Sequence, residues 1–420
     1  MRIFKFGGVS VKDADGVRNV ANIIQSQRGS PLLIVVSAIG KTTNRLEELA
    51  DAFFYHKTEK ETIFQNIKNE HLAIANDLFD GNTVAYADIE NLFHALHRYI
   101  QEDASENYDF EYDHIVSYGE LASTKIVAHY LNTCGLSAHW IDARTLIRTD
   151  NTYREGAVDW EKTQRKIKKN IEPIYQNDKN VLVVTQGFIG GTSEGLTTTL
   201  GREGSDFSAA ILGFALDAQS VTIWKDVEGL LNADPRLFSD TVKLNKISYR
   251  EAIELAYYGA SIIHPKTLKP LQNKNIPLYV KSFIHPQEEG SIIGDFAIKR
   301  LVPCYICKKN QVLISLSPKD FSFIAEENLS TIFGLFAFFG VKINLTQNSA
   351  LSFSLCVDYK SNINHLIEEL QTEFFVKYNF DMTLFTIRHY TQQSIQKIIQ
   401  NKTVVLEQKN RSTVQYVIKS

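Results

Sequence analysis

Short apolar runs separated by longer amphipathic stretches organise the first 290 residues. Residues 2–6, Leu32-Leu33-Ile34-Val35-Val36, Val181-Leu182-Val183-Val184, Ser220-Val221-Thr222-Ile223-Trp224 and Pro277-Leu278-Tyr279-Val280 predict strands, with another near Ala138-His139-Trp140-Ile141. The unbroken 32–36 run is the pattern of a parallel strand buried on both faces. Asp13 opens an amphipathic helix with Val17, Val20, Ile23 and Ile24 on one side. Further helices are expected over about 45–102, 115–133 and 160–170, from Ser208, and around Ala252, Leu255 and Ala256. Strands alternating with helices predict an α/β domain whose mainly parallel sheet is sandwiched by helices. Ligands of such sheets bind beyond the carboxyl ends of the strands, so the loops after Phe6, Val36, Thr185 and Trp224 are expected to converge on one site.

The pattern changes after residue 300. Val312–Leu316, 325–339, Val341–Thr346, Ser352–Val357 and 361–372 give β-α-β-β-α, and Leu384–His389 supplies a closing strand. This predicts an antiparallel α+β, ferredoxin-like module over 311–389. Residues 390–420 are too few for a complete second module, so its truncation is expected. The predicted domains are 1–295 and 300–420.

With 44% hydrophobic and 22% charged residues and a formal net charge of −3, the chain has the composition of a globular protein without global attraction to nucleic acid or anionic membrane. No run reaches the ~20 apolar residues of a membrane span. The N-terminus enters a strand-like pattern without signal-peptide organisation, which together with the cysteine usage predicts a reducing cytoplasm. Among Cys134, Cys304, Cys307 and Cys356, only 304 and 307 have metal-like spacing, and no second pair completes a zinc set.

The chemistry concentrates in the predicted loops. Thr197-Thr198-Thr199-Leu200-Gly201-Arg202-Glu203-Gly204-Ser205-Asp206 lies between a strand and an apolar helix opening. Glycines and hydroxyls before a helix N-terminus make an anion site, and Arg202 adds a fork that can hold a carboxylate. Taken alone, the same stretch is equally a capped loop with a surface arginine. Lys5-Phe6-Gly7-Gly8-Val9-Ser10 is a second phosphate-cradle candidate, lacking both the Walker A and the Rossmann spacing. Ser37-Ala38-Ile39-Gly40-Lys41-Thr42-Thr43-Asn44 is a third small-residue loop. Gly119-Glu120 falls inside a predicted helix, where Gly costs about 1 kcal/mol relative to Ala, so close approach of a ligand or a packing neighbour is expected.

Side by side, these motifs resemble those of the aspartate kinases of the amino-acid kinase family. Lys5 to Ser10 is similar to that family's opening Lys-Phe-Gly-Gly-Thr-Ser. Ser37–Asn44, Tyr118-Gly119-Glu120, Thr185-Gln186-Gly187-Phe188, Gly201–Asp206, Trp224-x-Asp226-Val227-x-Gly229, Asp234-Pro235-Arg236, Tyr258-Gly259-Ala260 and His264-Pro265 follow in order. The resemblance covers about residues 1–295, and the tail resembles the family's paired ACT regulatory modules.

The resemblance implies ATP-dependent phosphorylation of the side-chain carboxylate of L-aspartate, the first step towards lysine, threonine and methionine. By resemblance, Lys5 stabilises the transferring phosphoryl group, Asp206 orients Lys5, and Gly7, Gly8 and Ser10 meet the phosphates. Arg202 clamps the substrate α-carboxylate, Glu120 pairs with its ammonium, and Ser37, Thr43 and Ser205 complete substrate positioning. ATP is placed over Lys225, Asp226, Leu231, Arg236 and Ser261. Magnesium (Mg2+) is implied, held mainly by phosphates, with no protein metal ligand assigned. A homodimer or higher homo-oligomer and an amino-acid effector are the implied partners, although a tail serving chiefly as a dimer interface fits as well.

Four positions depart from the family. Ser261 replaces a lysine that reaches the ATP phosphates, Lys225 stands where Thr is common, and Leu231 stands where Tyr is common. Lys225 is expected to supply the missing charge. Asn344 stands where lysine-sensitive members place Asp, so lysine inhibition is not implied. The alternatives are a kinase of another small acid, such as glutamate or its N-acetyl derivative, and a non-catalytic amino-acid sensor.

Overall fold

The computed structural model describes residues 1–27, 29–79, 83–260, 263–297, 302–320 and 322–419. The chain divides into two compact units. The first is Met1–Leu230 with Lys243–Ile253 and Ile262–Ala297, and the second is Leu231–Val242 and Glu254–Ser261 with Ile298–Ser420. Segments 231–242 and 254–261, which the sequence pattern assigned to the first domain, thus group with the C-terminal residues.

The first unit is built on an eight-stranded sheet. Its strands lie in the order Ala138–Ile141, Leu182–Gln186, Leu32–Val36, Arg2–Phe6, Ser220–Lys225, Leu278–Ser282, Ser291–Gly294 and Lys246–Ser248. Neighbours are parallel except for Ser291–Gly294, which runs antiparallel to Leu278–Ser282. Register aligns the strand ends. Phe6 is level with Val36 and Trp224, and Val36 with Gln186. Leu32–Val36 and Leu182–Gln186 are buried throughout, as unbroken apolar strands in a parallel sheet must be. Phe4, Phe6, Ile34, Val184 and Trp224 join the core formed with the helices Ala14–Ser26, Thr42–Phe54, Lys60–Phe79, Thr83–Tyr99 and Tyr108–Thr133. The helix Gly204–Ala215 also packs on the strands, so closely that a Cβ on Gly213 would lie 2.8 Å from Val221.

Local chemistry explains the helix starts. The Asp13 side chain accepts from the Gly16 amide at 2.8 Å and caps the first helix. The helix expected from 115 begins at Tyr108, because Asn107 accepts from the amides of Asp109 and Phe110. Gly119 lies within it, and an added Cβ would come 2.9 Å from Leu46, 3.1 Å from Ala38 and 3.2 Å from Thr42. Its neighbours are protein side chains, so packing explains this glycine. The hydroxyl-rich segment 187–199 contains a small hairpin, Ile189–Gly191 with Thr197–Thr199, where loop was expected. β-Branched threonines favour that extended pairing.

The second unit carries a six-stranded antiparallel sheet in the order Ile343–Asn348, Phe353–Asp358, Cys304–Pro318, Phe374–Arg388, Thr413–Lys419, Val404–Lys409. Two fifteen-residue strands, Cys304–Pro318 and Phe374–Arg388, run through both halves. The start of Phe374–Arg388 pairs with 311–318 and closes the first half beside the helices Glu326–Phe338 and Ile363–Glu373. Residues 384–388, expected to close that module, instead pair with 304–308 and with Thr413–Lys419, beside the helix Gln392–Ile399. Apolar residues alternate through this earlier strand at Phe374, Val376, Tyr378, Phe380 and Met382, although Tyr378 and Phe380 are exposed. Asn344 accepts from the Lys308 ammonium at 2.7 Å and donates to Gln311 and Asp358 at 2.7 Å each. Among the described residues no helix is long and apolar enough to cross a membrane.

Gly119→Val should lower the urea unfolding midpoint, at a cost of about 1–3 kcal/mol, because the added methyls overpack the contact with Leu46, Ala38 and Thr42. An unchanged or raised midpoint would contradict that packing role.

Candidate active site

Three loops from the level strand ends are bound to one another through their backbones. The Ser37 amide donates to the Phe6 carbonyl at 3.1 Å, Gly40 to Gly8 at 2.9 Å and Gly187 to Val36 at 3.0 Å. A Cβ on Gly8 would lie 2.5 Å from the Ala38 carbonyl oxygen, and one on Gly187 would lie 2.4 Å from the Ser205 side chain. Glycine is therefore required at both positions by close approach. Glu203, left-handed at φ 55°, turns the chain into the helix Gly204–Ala215, whose N-terminus has no side-chain cap. The Glu203 carboxylate accepts instead from the His264 amide at 2.9 Å.

These elements enclose a cavity of about 680 Å³. Lys5, Gly7, Gly8 and Ser10 line it from the first loop, and Ser37 and Thr43 from the second. Glu120 enters from the helix Tyr108–Thr133, and Arg202, Ser205 and Asp206 enter from the start of Gly204–Ala215. Lys225 and Asp226 complete it at the end of Ser220–Lys225. The predicted constellation therefore converges, except at three positions. Leu231 and Arg236 belong to the second unit and are absent from this lining, and Arg236 pairs with Asp234 at 2.7 Å. Ser261 lies outside the described residues.

At the centre, Lys5 Nζ lies 2.7 Å from Asp206 Oδ1, and Lys225 Nζ lies 3.7 Å from Oδ2. Asp206 is 4% exposed. Burial raises its pKa, but the charges and hydrogen bonds of Lys5 and Lys225 outweigh that and hold it below the usual carboxylate range. Glu120, 2% exposed, shows the opposite balance. Burial pushes its carboxyl up to about 8 against a backbone hydrogen bond from Ala38 and the charge of Lys5. Among the described residues its Oε2 has no hydrogen-bond partner, and neither do the cavity-lining Ser10 hydroxyl and Trp224 indole N–H. Buried polar atoms left unpaired are costly and point to a ligand that satisfies them. Oε2 suits a cationic donor, whereas Ser10 beside Gly7, Gly8 and Lys5 suits an anionic group. Exposed Arg202 has no ion pair among the described residues.

Phe188 and Thr199, from motifs noted in the sequence, also line the cavity, as do Tyr112, Arg154, Glu155 and Phe283, which the sequence did not single out. Arg154 sits in the left-handed region at φ 65°, its guanidinium 3.0 Å from Glu47 and 4.0 Å from the Tyr112 ring. No periodicity marks such a turn.

A glycine-lined cleft with paired lysines, at the carboxyl ends of a mainly parallel sheet, defines a phosphoryl-transfer class of α/β protein. The sequence pattern of the amino acid kinase family matches residues 1–282. The chain belongs to the amino acid kinase family and, within it, to the aspartokinases. It is 32% identical to lysine-sensitive aspartokinase 3 of Escherichia coli over 361 residues, covering 85% of this chain and 78% of that one. It is 30% identical over 388 residues to the chloroplastic bifunctional aspartokinase/homoserine dehydrogenase 2 of Arabidopsis thaliana, covering 89% of this chain. The chain spans only 42% of that relative's length. The crystal structure of E. coli aspartokinase III in complex with aspartate and ADP, in the R-state, matches with TM-score 0.85 and 27% identity, covering 100% of this chain and 96% of the other.

Glu120 gives the fold a pH signature. Between its ordinary value of 4.5 and about 8, the folded chain keeps a proton that the unfolded chain has released, so stability falls as pH rises through that window. Glu120→Gln removes this loss. In urea unfolding without ligand, the variant's advantage over wild type should grow by on the order of a few kcal/mol between about pH 5 and pH 8. Parallel curves for the two proteins would show that Glu120 is ionised throughout.

Proposed function

We propose that this chain transfers the γ-phosphoryl group of ATP to the side-chain carboxylate of L-aspartate, forming 4-phospho-L-aspartate and ADP. The observation that carries this reading is Glu120 Oε2, a buried carboxylate oxygen without a hydrogen-bond partner among the described residues. It lines the same cavity as Arg202 and the Lys5–Asp206 pair. A zwitterion with a second carboxylate satisfies all three. Its ammonium meets Glu120 and draws that carboxyl back to the ionised form, and its α-carboxylate meets Arg202. The side-chain carboxylate, braced by the hydroxyls of Ser37, Thr43 and Ser205, points towards Lys5.

That nucleophile is ionised at neutral pH, so the site needs no general base; it needs alignment and positive charge. Asp206 holds Lys5 beside the transferring group, and the Gly7–Gly8 backbone and Ser10 hydroxyl donate to phosphate oxygens. Lys225 and Asp226 meet the nucleotide from the neighbouring strand end, Lys225 taking over the charge absent at Ser261. Magnesium supplies Lewis-acid neutralisation of the phosphates when bound. Its ligands would be mainly those phosphates, with Asp226 a carboxylate of the same cavity lining. No group of three or more His, Cys, Asp and Glu forms a metal site among the described residues. The second unit is assigned to amino-acid effector binding or to association of copies of the chain.

Acyl-phosphate formation trapped with hydroxylamine should require ATP and magnesium and proceed with aspartate, but not with glutamate or N-acetylglutamate. Product only from another acid would reassign the substrate, and no product from any would favour a sensor. Arg202→Ala should raise KM for aspartate at least tenfold, as expected when a charge-assisted clamp is lost. Lys225→Ala should raise KM for ATP while leaving aspartate binding intact; an unchanged KM for ATP would remove Lys225 from the nucleotide site.

A further inference from the structure

Asp113 lies in the helix Tyr108–Thr133, seven residues before Glu120. Seven residues are two helical turns, so both side chains issue from one face, about 10 Å apart along the axis. Asp113 is fully buried, and its carboxylate is the meeting point of three chain segments. Oδ2 accepts from the backbone amides of Arg154 and Thr199, each at 2.9 Å, and Oδ1 accepts from the Thr199 hydroxyl at 2.7 Å.

Those partners support the substrate side of the cleft. Thr199 ends the strand Thr197–Thr199, lines the cavity and precedes Arg202 by three residues. Arg154 holds a left-handed conformation at φ 65°, and the Asp113 bond to its amide fixes that turn. Beyond it, the Gly156 amide donates to the Thr199 carbonyl at 2.8 Å. A Cβ on Gly201, itself at φ 74°, would lie 3.2 Å from Glu155 and 3.3 Å from the Arg154 carbonyl. The turn at 154–156 and the loop carrying Arg202 therefore lean on each other, and both are tied to the Glu120 helix through Asp113.

We infer that Asp113 is a positioning residue that sets the spacing between Glu120 and Arg202, and with it the affinity of the cleft for its amino-acid substrate. This rests on the reading of Glu120 and Arg202 as the groups that receive the substrate's ammonium and α-carboxylate. A carboxylate is suited to the task because it accepts from several donors at once. Burial pushes the Asp113 carboxyl up to about 6, against the pull of the Thr199 and Arg154 hydrogen bonds and the Arg154 charge. Asparagine can keep one oxygen for the two amides, but it turns an amide hydrogen towards the Thr199 hydroxyl and leaves a second hydrogen without an acceptor. The phosphate-side loop, Lys5 to Ser10, issues from the strand Arg2–Phe6 and has no bond to Asp113 among those described.

The test is steady-state kinetics of wild type, Asp113→Asn and Thr199→Val, each checked for its folded fraction by circular dichroism. Loss of ground-state positioning raises KM for the amino acid with kcat and KM for ATP within about twofold of wild type. The expected rise in KM for aspartate is about tenfold for Asp113→Asn and smaller for Thr199→Val, which keeps both amide bonds. A lowered kcat with unchanged KM would mean fewer folded molecules and a merely structural role, overturning the inference. If Asp113→Asn does not fold, Thr199→Val carries the decision, because an unchanged KM there is equally fatal. Should wild type turn over a different amino acid, the assigned substrate fails while the same KM split, read on that acid, still decides the role of Asp113.

Discussion

Two charges withdrawn from water, Lys5 and Asp206, set the terms for the cleft. They meet at 2.7 Å with the aspartate 4% exposed, and removing Lys5 would leave that buried carboxylate to Lys225 alone, at 3.7 Å. Their meeting depends on the sheet: Lys5 stands one residue before the end of a central strand, and Asp206 lies in the first turn of a helix packed against that strand. A register slip of one residue would turn the Lys5 side chain to the other face. The buried, unbroken strands on one side of Arg2–Phe6 and the strand Ser220–Lys225 on the other make such a slip expensive.

Glu120 shows the complementary economy. Asp206 stays ionised because two lysines serve it, whereas Glu120, equally buried, has only a backbone donor and the more distant charge of Lys5. Two carboxylates in one cavity are thus pushed in opposite directions by their neighbours. One is a fixed part of the framework. The other keeps an oxygen without a hydrogen-bond partner among the described residues, which costs stability.

What could be read from the chain followed from periodicity and from where loops attach. The central strands, the cap at Asp13 and the convergence of Lys5, Ser37, Glu120, Arg202 and Asp206 were legible because strand ends and helix starts locate side chains without tertiary knowledge. The hairpin at 189–199 was hidden by glycine and hydroxyl content, whereas the strand from Phe374 carries an apolar alternation that the closing strand at Leu384–His389 overshadowed. Arg154 and Tyr112 were invisible for another reason. They reach the cavity through a left-handed turn and a long helix, and what joins them is a buried carboxylate seven residues from the motif that drew notice. The stretch around Asp234-Pro235-Arg236 does not contribute to the lining of the cavity. Leu231 and Arg236 are grouped with the C-terminal residues, and the arginine is engaged by its own neighbour Asp234.

The paired lysines also set the electrostatics at the glycine-lined end of the cleft. Lys5 and Lys225 sit on adjacent strands, and both address Asp206, one through each oxygen. A single carboxylate between two ammonium groups screens their mutual repulsion, and the three together carry one net positive charge. That residual charge favours anions, and its position is fixed before any ligand arrives, so little reorganisation is needed as charge develops on a transferring group. In such an arrangement, replacing Lys225 by a neutral residue would bring Asp206 closer to neutralising Lys5 completely. The residue at 225 thus adjusts the effective charge of Lys5 as well as contributing its own.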